Sequence, residues 1–104
     1  MIITGIGSPI TINIIPPEQW VQQTRGLAPS DPSTLRGFVD YATKQIYIED
    51  TEMAGSTLLH ELLHITSDFC GANLSEEQVE ATERGLWAVL GQNSHLLEYW
   101  KNKV

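Results

Sequence analysis

The chain has 104 residues, 41% of them apolar, and a formal net charge of −7, which suits one compact domain over residues 1–104 and leaves no room for a second. Its six basic residues are scattered rather than clustered, so no nucleic-acid partner is expected, because phosphate neutralisation needs grouped Lys and Arg. No apolar run approaches the roughly 18–20 residues of a membrane span, the N-terminus lacks the basic start of a secretory signal, and Cys70 stands alone. The expectation is a soluble cytoplasmic protein without a disulfide.

Taken in chain order, Ile10, Ile12 and Ile14 alternate with Thr11 and Asn13, the period of a half-buried strand. Pro16 and Pro17 end it and suit the first turn of a short helix through Glu18, Trp20, Val21 and Gln22, which stops at Gly26. Ala28 to Ser33 reads as a loop. Gly37–Ala42 and Gln45–Glu49 read as an antiparallel hairpin, with Ile46 and Ile48 on one face and Tyr47 on the other.

The second half is helical. One helix opens near Asp50 or Thr51, either of which can cap it, and stops at Gly71. The next begins with a capping box, Ser75 and Gln78, flanked by Leu74 and Val79 at the positions of a hydrophobic staple, and runs to Gly91. A last short helix, Ser94 to Trp100, is expected to pack back on the domain. The whole is an α+β chain in which a strand, a short helix and an antiparallel hairpin precede three helices.

The long helix carries His60-Glu61-Leu62-Leu63-His64, an HExxH motif. Residues at i and i+4 share a helix face about 5–6 Å apart at Cβ, so two imidazoles there can converge on one zinc ion with bonds of about 2 Å. Glu61 is rotated about 100° from His60. It is poorly placed to join the same coordination but well placed to act as general base on a metal-activated water. Chance would produce the motif in under about 1% of chains of this composition. A pair of hydrogen-bonded structural histidines is the plainer reading of the same residues.

Two histidines leave the site short of a third protein ligand, which in a His₂Glu site comes from the following helix. The candidates are Glu76, Glu77, Glu80 and Glu83. With Val79, Thr82, Leu86 and Leu90 as the apolar stripe, Glu83 falls at its margin, and the choice narrows to Glu77 or Glu80 without being decided. Acidic residues also favour helix N-termini through the macrodipole alone, so most of the four need no functional role.

From Gln45 to Trp100 the chain resembles a family of small HExxH proteins of phages and prophages, near the ImmA/IrrE-like and minigluzincin peptidases. The resemblance rests on Ile46–Ile48 (IYI), Thr57–His64 (TLLHELLH), Leu74–Val79 (LSEEQV) and Gly85–Asn93 (GLWAVLGQN). It covers about half the chain, and residues 1–36 match less clearly. Ser94 is a departure, since relatives often carry Pro there. The resemblance implies a minimal zincin-like α+β fold, with a small antiparallel sheet packed on the active-site helix, then a ligand-bearing helix and a short C-terminal helix, one zinc per chain, and a sheet edge that receives an extended peptide. It maps the third ligand to Glu77. The implied function is a zinc metallopeptidase, a hydrolase acting on a peptide or protein substrate in the cytoplasm of the host cell if phage-encoded.

The remaining polar residues invite smaller expectations. Tyr41, Tyr47 and Tyr99 can each offer a hydroxyl to an oxyanion, although packing is the commoner role. Asp68, four residues past His64, can orient an imidazole or simply face solvent. His95 is expected at the surface, Cys70 buried, and Trp20, Trp87 and Trp100 as packing anchors. Two other functions compete: a non-catalytic accessory module stabilised by zinc, and a latent peptidase whose N-terminal segment or last helix covers the cleft. A structural zinc usually has four protein ligands, whereas only His60, His64 and one Glu are evident, which favours an open, catalytic site.

Overall fold

A computed structural model describes residues 1–104 as an α+β fold with a mixed four-stranded sheet and four helices. The strands are β1 (Ile2–Ile3), β2 (Ile10–Ile15), β3 (Gly37–Asp40) and β4 (Gln45–Glu49), in the order β1-β2-β4-β3. The hairpin β3–β4 is antiparallel, with Phe38 opposite Tyr47 and Val39 opposite Ile46. In the turn that joins them, Lys44 takes a positive φ of 57°.

The expected all-antiparallel sheet is not what forms: β2 runs parallel to β4, with Ile12 opposite Ile46 and Ile14 opposite Ile48. Parallel pairing needs a crossover of a dozen residues or more. The chain from Pro16 to Arg36 supplies it, folding as helix α1 (Pro17–Thr24) and a 3-10 turn at Pro32–Thr34 where a plain loop was expected.

Helix α2 (Ala54–Cys70) covers one sheet face. Ile10, Ile12, Ile46 and Ile48 are buried there against Leu58, Leu62 and Ile65. The other face buries Ile15, Phe38 and Tyr47 around Trp20 of α1. The Trp20 indole N–H donates to the carbonyls of Pro32 (2.9 Å) and Leu35 (3.0 Å), which pins the segment leading into β3. Ile14 was expected to share the burial of Ile10 and Ile12, yet it is 41% exposed. The short β1 pairs only with Ile10 and Thr11, so β2 has no neighbour on that side at Ile14.

Helix α2 begins at Ala54, a few residues later than expected, because Thr51 caps the preceding turn by accepting from the Met53 N–H. It ends as expected at Gly71, whose φ of 72° is left-handed. The turn onward is fixed where the Leu74 N–H donates to the buried Ser67 hydroxyl at 2.8 Å. Helix α3 (Glu76–Gln92) starts with the expected capping box: the Gln78 N–H donates to Ser75 Oγ, and Gln78 Oε1 accepts from the Ser75 N–H. Its Val79 is fully buried. Helix α4 (Ser94–Lys101) packs little, with only Leu96 half-buried among its apolar residues.

Of the three expected tryptophan anchors, Trp20 is fully buried, and Trp87, though 44% exposed, packs its ring on Gly55 of α2, where a Cβ would collide with Cη2. Trp100 is 50% exposed. Cys70, the last residue of α2, is exposed rather than buried, like Phe69 beside it.

Gly37 sets how closely α2 approaches the hairpin. A Cβ there would lie 2.8 Å from Thr57 Cγ2, 2.9 Å from Ile48 Cδ1 and 3.1 Å from the Tyr47 carbonyl oxygen. Backbone cannot yield as a flexible side chain can, so Gly37→Ala should cost about 1–3 kcal/mol, the usual scale of overpacking. Chemical denaturation of parent and variant reads this directly, and a change below about 0.5 kcal/mol, the scale of a surface substitution, would show the approach to be loose.

Candidate metal centre

His60 and His64 lie one turn apart on α2, and both are half-buried. Leu58, Leu62 and Ile65 turn the apolar side of the helix to the sheet, which leaves the histidines beside the start of α3. Their Nε2 atoms face each other at 3.2 Å. Two nitrogens at about 2.05 Å from a tetrahedral ion stand roughly 3.3 Å apart, so the pair is spaced as ligands of one metal would be.

Glu76, the first residue of α3, closes the group. Its Oε1 lies 2.8 Å from His60 Nε2 and its Oε2 lies 2.7 Å from His64 Nε2. These three residues form a cluster at ligand distance that could hold a metal ion. The contacts are short of a tetrahedral edge by about half an ångström. Glu76, with 59% of its side chain exposed, has room to draw back by that much.

The structure thus brings Glu76 to the histidines, not the expected Glu77; Glu77 and Glu80 are exposed away from them. The reason is helical phase. Ser75 caps α3, and the buried Val79 fixes which face meets α2. Glu76 and Glu83 stand three before and four after Val79, on that same face. Glu77 follows Glu76 by one residue and is rotated about 100° from it; Glu80, one turn on from Glu76, is exposed and outside the cluster. Taking Val79 alone as the centre of the buried face would have found Glu76; the stripe through Thr82 and Leu86 misled, because both are exposed. Glu83 also contributes, with Oε1 3.8 Å from His60 Nδ1, the ring nitrogen facing away from the cluster. At that distance the carboxylate is an ion-pair neighbour of the ring rather than a hydrogen-bond partner.

No protein-family model, curated protein or solved structure matches this chain. The chemistry must be argued from the cleft itself.

Glu61 lines the same cleft as His60, His64 and Glu76. Burial raises its pKa above the ordinary carboxylate value; the two histidines pull it down and Glu76 pushes it up. A glutamate that holds its proton more tightly is a stronger base toward water. The opposite wall is the strand edge, Gly37 to Val39, with Tyr41 beyond it. Because β3 ends the sheet, its outer edge has no strand partner.

Of the three tyrosines, only Tyr41 borders this cleft. Tyr47 stacks on Phe38 at 5.0 Å between ring centres on the far face of the sheet, and Tyr99 is exposed on α4. Tyr41 donates its hydroxyl proton to Asp68 Oδ2 at 2.9 Å. Asp68 is therefore spent on a tyrosine rather than on an imidazole. Burial, reinforced by that carboxylate, pushes the Tyr41 pKa up to about 12. Neither the first eight residues nor α4, with the surface His95, lines the metal cleft.

Proposed function

We propose that this chain is a zinc-dependent metallopeptidase in a minimal zincin-like fold, with His60, His64 and Glu76 as metal ligands and Glu61 as general base. The observation that carries the reading is the 3.2 Å separation of the two Nε2 atoms under a shared carboxylate, with a second, part-buried carboxylate in the same cleft. A structural ion pair would explain Glu76 and the histidines but would leave Glu61 without a task. Burial of its carboxylate costs stability unless function retains it.

A zinc ion held by these three ligands would acidify a water molecule and polarise a peptide carbonyl. Everything else falls to side chains and backbone. Glu61 accepts the proton of the attacking water and delivers it to the leaving amine. Glu83 places a negative charge beside the outer nitrogen of His60. The free edge of β3 offers backbone N–H and C=O groups to an extended peptide, which fixes the substrate along the cleft. The partner this implies is an unfolded segment of peptide or protein.

The reading is tested by metal analysis and cleavage together. Protein stripped with chelator and reloaded should take up close to one zinc per chain and cut an unstructured peptide pool, with cleavage lost on stripping and restored on reloading. No zinc uptake would reduce the centre to an ion pair. Full uptake without cleavage would make it a metal-stabilised accessory module.

A further inference from the structure

A second cavity of about 250 Å³ adjoins the metal cleft, and Val39 and Tyr41 line both. Its other walls are Ile6, Ile10, Ile65 and Phe69, with Gly7 and Ser8 closing one side. It lies past His64 toward the end of α2, between that helix, β3 and the N-terminal loop. None of its residues is needed for the metal or for proton transfer.

The geometry points to a specificity pocket that receives one bulky apolar side chain of the peptide substrate. This inference rests on the peptidase reading of the neighbouring cleft and names the substrate class that cleft selects. Three observations carry it. The volume falls below the roughly 300 Å³ at which pockets begin to hold whole drug-sized ligands, so it suits a side chain rather than a separate small molecule. Six of the ten lining residues are apolar; the two charged ones are Lys44 and Asp68, and the Asp68 carboxylate already accepts the Tyr41 hydroxyl.

The third observation is continuity. Val39, on β3, and Tyr41, in the turn just after it, line both the cavity and the metal cleft. Val39 belongs to the face packed toward α2. A peptide laid along β3 projects every second side chain to that same face. In the far wall Gly7, with a φ of 69°, lies beside the Phe69 ring. Phe69 is itself 61% exposed, and an apolar ligand would cover it.

The test uses zinc-loaded full-length protein and two small hydroxamates that differ only in their side chain, N-acetylglycine hydroxamate and N-acetylleucine hydroxamate. Their dissociation constants are measured by calorimetry, independently of any cleavage. The leucine compound should bind roughly tenfold tighter or more, as expected for burying one such side chain. Phe69→Ala, at an exposed position outside the metal centre, should shrink that ratio to about threefold or less while leaving the glycine compound unchanged. Equal affinities in the parent would overturn the pocket and leave the metal centre standing. Failure of the glycine compound to bind would overturn the metal centre, and the pocket with it.

Discussion

Glu61→Gln should keep its zinc and lose hydrolysis. The amide has nearly the shape of the carboxylate, and the cluster at ligand distance consists of His60, His64 and Glu76 without it. Zinc content and thermal stability should therefore match the parent. Glutamine cannot accept a proton from water, so the rate should fall by about 10²-fold or more, the scale of a general base. Removing a part-buried charge should, if anything, help the fold, since burial already disfavours the ionised form of Glu61. Parent and variant are to be compared on one peptide pool with zinc determined in the same samples. Undiminished cleavage by the variant would take the base role away from Glu61, and zinc loss would make it a ligand.

The second large effect separates neighbouring glutamates. Glu76→Ala should weaken zinc binding by more than about 100-fold, beyond what changes to residues behind the ligands usually cause. Glu77→Ala, altering a side chain that faces away, should change it by no more than about twofold. Glu83→Gln should fall between them, near tenfold, because its contact is with the outer nitrogen of His60. Competition titrations against a zinc-sensitive dye give the ranking. Should Glu77→Ala prove the most damaging, the start of α3 would have to be rotated by about 100° from the arrangement described here.

What the sequence made legible was local. The HExxH spacing puts two rings on one helix face whatever the rest of the chain does, and the Ser75–Gln78 capping box sets the first residue of α3 within one position. The hairpin faces, with Ile46 and Ile48 opposite Tyr47, follow from the two-residue period of a strand. What stayed hidden depends on partners distant along the chain. The parallel register of β2 on β4 joins Ile12 to Ile46 across a crossover that leaves no periodic mark. The pairing of Tyr41 with Asp68 spans 27 positions. Glu76 lay between the two cases: its helical phase could be read, but only with Val79 known to be the buried contact. The contact of Trp87 with Gly55 and the exposure of Cys70 and Ile14 likewise depend on what stands nearby in the fold, which local hydrophobicity does not record.

The tie between Ser67 and the Leu74 N–H has a kinetic side. It folds the chain back between α2 and α3, so that His60, His64 and Glu76 all fall between positions 60 and 76. Closing so short a loop takes little chain entropy, and contacts of low sequence separation form early. The sheet is the opposite case, because β2 must find β4 across the whole crossover. Assembly of the His60–His64–Glu76 cluster and zipping of the strands are thus events of different contact order. The candidate metal corner can be in place while the rest of the chain is still searching.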